Sequence, residues 1–233
     1  MLILCGGLGK RLRERIGNQQ KTMAQIKSEP FLNLLLRYLK GQGFGRFILC
    51  TGFEASQVED YYTKNNLGLD IAFSRETEPL GTGGALKNAQ RLIKSDTFFA
   101  LNGDSFCDLA YQDLFAFHQA KQALATLVVM EDERQDVGKI ELKPDGQICS
   151  FLEKEAASQK KDCRLMNAGI YCFQRKIFSH FSDKKPCSLE YDVFSKLIGQ
   201  RLYGHVIKEK LLDIGTPERY EQAQKILGKG HLL

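Results

Sequence analysis

The 233-residue chain contains no run of about eighteen apolar residues, so its pattern offers no transmembrane helix. Leu2–Cys5 is apolar, but glycines follow at once, and a signal-peptide core is excluded. The chain starts almost inside its first strand, as though a residue or two preceded it. C-x-x-C is absent, and the seven cysteines (Cys5, Cys50, Cys107, Cys149, Cys163, Cys172 and Cys187) are odd in number, several of them inside apolar runs. A reduced, cytoplasmic protein with structural thiols is expected. The four histidines form no H-E-x-x-H or Cys/His finger, which argues against zinc. No long basic run exists. Lys160-Lys161 and Lys184-Lys185 are isolated pairs, read as solvated faces, so no nucleic-acid partner is expected. Repeats, low-complexity tracts and Pro/Ser-rich linkers are missing as well.

What is present is an ordinary globular composition, 43% hydrophobic and 26% charged. That suffices for a sizeable core and excludes disorder, collagen and coiled coil. Lys+Arg 33 against Asp+Glu 28 leaves +5, a mild excess suited to a small anionic ligand such as a nucleotide or sugar phosphate. Short apolar runs at Leu2–Cys5, Arg46–Thr51, Asp70–Phe73, Phe98–Leu101, Ala125–Met130, Lys139–Leu142, Ile148–Glu153 and Gly169–Phe173 read as strands. Phe31–Lys40 and segments 55–64, 84–94, 109–121, 175–181, 190–199 and 217–227 read as helices. Ser56, Asp108 and Thr216 are their candidate caps, and Pro217 fits a first turn. Gly41 and Gly43 end the first of these helices. Strands and helices alternate in the first half, which implies a parallel sheet with right-handed crossovers. The second half has more strands per helix and the turn Pro144-Asp145-Gly146, which implies antiparallel additions. A single α/β domain over 1–233 with a mixed, mostly parallel central sheet follows.

In such sheets ligands bind beyond the carboxyl ends of the strands. The first strand runs into Gly6-Gly7-Leu8-Gly9-Lys10-Arg11, a glycine-rich loop with two cations that suits phosphate oxygens. It matches neither the dinucleotide fingerprint G-x-G-x-x-G nor the Walker pattern. It resembles the signature loop of the sugar-phosphate nucleotidyltransferases, G-G-x-G-T-R-L followed about ten residues later by P-K-P-M; here the latter reads Gln20-Lys21-Thr22-Met23. The resemblance continues in order through Glu78-Pro79-Leu80-Gly81-Thr82-Gly83-Gly84-Ala85, Leu101-Asn102-Gly103-Asp104, Glu153-Lys154, Asn167-Ala168-Gly169 and Asp213-Ile214-Gly215-Thr216-Pro217. Within the family, length and motif wording look closest to the D-glycero-D-manno-heptose 1-phosphate guanylyltransferases, with the short mannose 1-phosphate guanylyltransferases next. Lys10, Gln20 and Thr22 depart from the pattern. Loss of both prolines should leave the loop carrying Lys21 less pre-set.

The resemblance implies a Rossmann-like three-layer sandwich of the nucleotide-diphospho-sugar transferase type. Its nucleotide-binding half would span about 1–110 and its sugar-phosphate half about 111–233. The implied substrates are an NTP and a sugar 1-phosphate. The sugar phosphate attacks the α-phosphorus, and pyrophosphate leaves. No general base is required, since a phosphate monoester is already anionic at neutral pH, its second pKa lying near ~6. This agrees with the absence of G-x-S-x-G or a Ser-His-Asp pattern. Arg11 and Lys21 are the implied catalytic cations. Gly6, Gly7, Gly9, Lys10, Gly81, Thr82, Gly83, Asn102 and Gly103 are the implied nucleotide contacts. Glu153, Lys154, Asn167 and Gly169 are the implied sugar-side residues, Glu190 is a further candidate that a helix N-terminal acid explains equally well, and Asp104 and Asp213 would hold Mg²⁺. Uridylyl and thymidylyl relatives carry a Gln after Leu-Gly; this chain has glycines there, and GTP is expected. A hexose 1-phosphate substrate, another base, or a non-catalytic nucleotide-sugar sensor are the alternatives. The chain lacks the length for a β-helical acyltransferase domain. A homo-oligomer stays open, and no membrane partner is expected. Phe98-Phe99 and Phe115–Phe117 read as core, and His118 as partly buried.

Overall fold

The computed structural model describes residues 1–132, 138–152, 164–183 and 185–227. The strands are β1 Leu2–Leu4, β2 Gln25–Ile26, β3 Glu29–Pro30, β4 Arg46–Thr51, β5 Asp70–Arg75, β6 Thr97–Asn102 and β7 Ser105–Cys107. They continue with β8 Ala125–Glu131, β9 Lys139–Leu142, β10 Ile148–Leu152, β11 Leu165–Gln174, β12 Leu202–Ile207 and β13 Leu211–Asp213. The longer helices are α2 Phe31–Gly41, α3 Ala55–Lys64, α4 Gly81–Asn88 and α5 Tyr111–Ala120, preceded by the single turn α1 Arg13–Ile16; the last described helix is Pro217–Leu227.

In the first half β5, β4, β1 and β6 lie side by side and all parallel. From β1 the chain goes to β4 on one side and later to β6 on the other. This reversal opens a crevice beyond the carboxyl ends of β1 and β6, the usual ligand position in an open α/β sheet. Antiparallel β11 then joins β6 to β8, and β8 pairs in parallel with the edge strand β12. The sheet is therefore mixed, with a wholly parallel nucleotide side.

Alternation along each central strand feeds two cores, one per face. Ile3, Phe47, Leu49 and Leu101 point into a core with Leu32, Leu35, Leu36 and Leu39 of α2 and Val58 of α3. Leu2, Ile48 and Ala100 point the other way, against Leu86 of α4 and Phe178, Val193 and Phe194. Helices thus cover both faces, giving three layers. Helix α2 stops where Gly43 takes φ +90° and Phe44 N–H bonds the Leu39 carbonyl at 3.1 Å, a glycine-dependent C-terminal turn.

Several local expectations are corrected. Segment 84–94 is α4 plus a 3₁₀ turn at Gln90–Leu92, and 190–199 is a π-turn Leu189–Phe194 with three α residues after it. Ser56 lies inside α3, whose cap position is Glu54. Asp108 accepts from Tyr38 Oη at 3.1 Å rather than capping α5. Thr216 does cap its helix, accepting from Arg219 N at 3.4 Å. His118 is fully buried, not partly, and its Nδ1 lies 2.9 Å from Thr126 Oγ1. β12 and β13 lie outside the runs that read as strands in the sequence. Among the described residues six cysteines are free. Burial pushes the thiols of Cys50, Cys107 and Cys172 up to about 12, as fits structural, unreactive groups. No described helix is long and apolar enough to cross a membrane.

Candidate active site

A cavity of about 570 Å³ lies at the carboxyl ends of β1, β4, β5 and β6. Its walls come from strand ends because each parallel strand stops on small or polar residues: Gly6 after β1, Gly52 after β4, Glu76 after β5, and Asn102 and Asp104 around the end of β6.

The glycine turn forms the floor. Gly6 and Gly7 line the cavity, and no atom lies within 4 Å of where a Cβ on Gly7 would stand. Gly9 has φ +57°, and a Cβ there would sit 3.2 Å from Lys21 Cβ. The turn and the Lys21 segment therefore pack directly. Lys10 is exposed and lies outside the cavity lining. Arg11 is exposed too, and its Nη2 reaches within 3.7 Å of the Cβ position of Gly215, on the turn after Asp213.

Lys21 forms an ion pair with Asp104 Oδ2, their side chains only 16% and 25% exposed. The segment holding Lys21 has side-chain hydrogen bonds where its prolines are missing. Gln20 is buried, and its Nε2 donates to the Cys5 carbonyl. Its Oε1 accepts from Thr22 N and Thr22 Oγ1, each at 2.6 Å. Its own N–H donates to Gln57 Oε1 at 2.9 Å. Side-chain hydrogen bonds tie this loop to the end of β1 where ring closure would otherwise restrict it. Gln20 and Thr22, read as departures, are its anchors.

Asp104 and Asp213 sit on neighbouring backbones, since Ile214 N donates to the Asp104 carbonyl at 3.0 Å and β13 pairs with β7. Their carboxylates face different cavities. Asp104 lines the large one, with Oδ1 accepting from Ser105 Oγ at 3.1 Å. Asp213 lines a smaller one of about 240 Å³ and accepts from Arg219 Nη1 through both oxygens, at 3.2 and 3.1 Å. Asp104 offers the hard oxygen donor that a divalent cation prefers. In this arrangement Asp213 is paired with Arg219. Among the described residues no group of three or more His, Cys, Asp or Glu side chains is placed to hold a metal.

Gly81 and Thr82 line the cavity wall. Gly83 does not; its N–H donates to the Cys187 carbonyl at 2.9 Å, and a Cβ would meet Cys187 Sγ at 2.9 Å. Gly103 is likewise a packing residue, with its N–H on the Leu4 carbonyl at 3.0 Å. Beyond Thr82 lies a polar cluster. Glu190 Oε1 accepts from Asn167 Nδ2 at 3.3 Å and from Tyr171 Oη at 3.4 Å, and Oε2 accepts from Ser188 Oγ at 3.0 Å. A shift of register in β11 between Asn167 and Tyr171 brings both residues to Glu190. At that bulge Gly169 has φ +72°, and a Cβ would collide with the Asn102 amide. Asn102 and Asn167 thus come from opposite halves of the chain and meet through one glycine. Glu153 and Lys154 lie outside the described residues. Tyr171, Arg219 and two residues of the cavity lining, Glu76 and Phe53, are not marked in the sequence; Tyr171, Glu76 and Phe53 sit in apolar or turn segments that carry no chemical signature.

Together these features place a glycine turn, a paired lysine and aspartate and, beyond Thr82, a polar cluster at the carboxyl ends of a parallel sheet, where α/β enzymes bind their ligands. Residues 1–230 match the nucleotidyl transferase family, and the chain belongs to that family. It is 34% identical over 227 residues to the D-glycero-alpha-D-manno-heptose 1-phosphate guanylyltransferase of Aneurinibacillus thermoaerophilus, covering 97% of both chains. It is equally identical, 34%, to the mannose-1-phosphate guanylyltransferase catalytic subunit beta of Drosophila pseudoobscura pseudoobscura, but spans only 60% of that longer protein. The crystal structure of HddC from Yersinia pseudotuberculosis complexed with GMP-PN superposes with a TM-score of 0.83 at 31% identity, over 97% of this chain and 98% of that one.

Proposed function

We propose that this nucleotidyltransferase moves the guanylyl group of GTP onto D-glycero-α-D-manno-heptose 1-phosphate and releases pyrophosphate. The observation that carries the reading is the Lys21–Asp104 ion pair on the wall of a cavity floored by the glycine turn. The full-length similarity to heptose 1-phosphate guanylyltransferases supports the choice of base and sugar.

The reaction joins two anions, so the site has to supply charge and alignment rather than a base. The attacking oxygen of the sugar phosphate carries its own negative charge at neutral pH. The turn Gly6–Gly9 presents backbone N–H groups to the triphosphate. Lys21 is held over the same cavity by the Gln20 anchors, where its ammonium spans donor and acceptor phosphates as the reaction brings them together. Arg11 adds charge from the rim beside Gly215. A divalent cation such as Mg²⁺, when bound, supplies further neutralisation of phosphate oxygens, and Asp104 would hold it. Asn167, Glu190 and Tyr171 offer donors and acceptors to sugar hydroxyls.

Pyrophosphate release with Mg²⁺ tests the reading. GTP is compared with UTP, dTTP, CTP and ATP, each against the heptose 1-phosphate, mannose 1-phosphate and glucose 1-phosphate. Release with GTP and the heptose 1-phosphate alone supports the proposal. Release with GTP and mannose 1-phosphate moves the sugar. Nucleotide binding with no release for any pair removes catalysis from the account.

A further inference from the structure

Asp213 is the last residue of β13, and its register partner on β7 is Ser105, the residue after Asp104. The two aspartates therefore hang from adjoining backbone, yet of the two only Asp104 lines the large cavity. Asp213 is turned to Arg219. Thr216 caps the Pro217–Leu227 helix by accepting from Arg219 N at 3.4 Å, which sets Arg219 in the first turn, back over Asp213. Arg219 Nη1 donates to both carboxylate oxygens, at 3.2 and 3.1 Å, and Gly215 N donates to Oδ1 at 2.9 Å.

An arginine commonly meets a carboxylate with two nitrogens, one for each oxygen. Here a single nitrogen stands astride both oxygens, which is where a bidentate carboxylate holds a hard cation. The side chains of the pair are only 29% and 17% exposed. A second carboxylate, Asp132, lines the same cavity of about 240 Å³, and Arg219 is the one cationic side chain among the described residues of that lining. A guanidinium keeps its charge at any working pH, so deprotonation does not release Asp213. Release takes a competitor: a stronger cation for the carboxylate, or a stronger anion for the arginine. No three acidic, histidine or cysteine side chains among the described residues converge on a metal position. A cation here would complete its shell with water and substrate phosphates, the usual manner of Mg²⁺. Nucleotide phosphates thus favour the exchange on both counts.

We propose that Arg219 is the resident counter-cation of Asp213, holding the carboxylate in the nucleotide-free protein and yielding it to a divalent cation when nucleotide phosphates are present. Arg219 is a positioning residue, acting on metal affinity through Asp213. The inference rests on the metal reading above and adds what keeps the metal from binding ahead of the nucleotide.

Mn²⁺ binding, read from the loss of the free ion's electron paramagnetic resonance signal, tests this without turnover. The full chain is titrated without nucleotide and with GTP, as wild type, Arg219→Met, Arg219→Lys, Arg15→Gln and the double variant Arg219→Met with Asp213→Asn. Removing a competing charged hydrogen-bond donor is expected to tighten Mn²⁺ binding to the nucleotide-free protein roughly ten-fold in Arg219→Met. A loosened fold would not produce a gain of affinity. Arg219→Lys restores a competing charge and stays near the wild type. Arg15 pairs with Glu221 in an exposed contact at 2.7 Å, so Arg15→Gln removes one charge without touching Asp213 and leaves the affinity unchanged. Asp213→Asn cancels the gain, and with GTP the wild type and Arg219→Met converge. The proposal is overturned if Arg219→Met binds Mn²⁺ no more tightly than the wild type, or if the gain survives Asp213→Asn. It is overturned equally if Arg15→Gln or Arg219→Lys shows the same gain, or if the difference persists undiminished with GTP. If Arg219→Met does not fold, Arg219→Gln is titrated in its place and decides by the same criteria. A wild type that binds no Mn²⁺ beyond what GTP takes up by itself overturns the metal reading, a separate outcome visible before any variant is made.

Discussion

Replacing Gln20 with Ala would test how the catalytic lysine is held. Three hydrogen bonds end on the Gln20 side chain: one to the Cys5 carbonyl and two from Thr22. Truncation leaves the Cys5 carbonyl, the Thr22 N–H and the Thr22 hydroxyl without their partner in a buried setting, Gln20 and Thr22 being 1% and 2% exposed. At about 1 kcal/mol net for each bond, the loss is about 3 kcal/mol. For a chain of this size that lowers the melting temperature by roughly 6–12 °C. The backbone bond from Gln20 N to Gln57 survives in Ala and is lost in Pro. Gln20→Pro isolates the alternative, because Gln20 already has φ −62°, the value a proline ring imposes. It restores the ring restraint but removes four bonds, so it should be at least as unstable as Ala. Calorimetric melting of the three proteins, with kcat and KM for both substrates, is the assay. The anchor account requires kcat to fall more than KM for GTP, since Lys21 is displaced while the glycine turn remains. Gln20→Ala with an unchanged melting temperature, or Gln20→Pro more stable than the wild type, refutes it.

Lys21→Met keeps the stem that packs on Gly9 and removes the charge; kcat should fall by on the order of 10²–10³, read by single-turnover pyrophosphate release. Gly52→Ala forces a Cβ against Glu76 Oε1 and the Gly6 backbone, so KM for GTP should rise, with a loss of about 1–3 kcal/mol measured by urea unfolding. His118 is buried, its Nε2 has no hydrogen-bond partner among the described residues, and burial lowers its pKa to about 4. The folded state thus stays neutral where the unfolded chain takes up a proton below about 6.5. Stability is complete above that value and is lost as pH falls towards 4, by roughly 3 kcal/mol. Unfolding midpoints at pH 7 and pH 4.5 for the wild type and His118→Phe check this, the variant showing the smaller loss.

The elements that sequence described best are those whose cause is local. Segment 55–64 and segment 217–227 have helical periodicity and appear with those bounds as α3 and the Pro217–Leu227 helix. The run at Arg46–Thr51 is apolar and β-branched enough to be β4. Strands β7 and β13 have three residues each, and β12 interrupts its apolar residues with Tyr203, Gly204 and His205; all three pair with a partner strand that no window of sequence contains. The same division holds in the cavity. Glycines and charged residues in unusual company announce Gly6, Lys21 and Asp104. Gln20 reads as a loss in the sequence because its value lies in three bonds, two to nearby Thr22 and one to Cys5, fifteen residues away and just past the end of β1. Glu76 was not read because its position depends on two glycines brought beside it only by the strand order β1–β4–β5.

Lys21 and Asp104 neutralise each other on the wall of the large cavity, and Asp213 faces Arg219 in the smaller one. Desolvation makes an unpaired ammonium costly at this depth, so Lys21 and Asp104 stabilise each other until a substrate or cation replaces the partner. A triphosphate entering over the glycine turn offers Lys21 a stronger anion than Asp104, and the freed carboxylate then becomes available to a cation. Charge exchange of this kind leaves the resting protein stable while keeping Lys21 within the site, and it predicts that Lys21 and Asp104 are coupled. Lys21→Met and Asp104→Asn should therefore be non-additive in stability: the double variant is expected to be more stable than the sum of the single losses implies, because each single change strands the other charge. Urea unfolding of the four proteins at low salt measures the coupling. Additive losses would mean that the ion pair does not stabilise the folded protein, and that Lys21 is positioned by the Gln20 anchors alone.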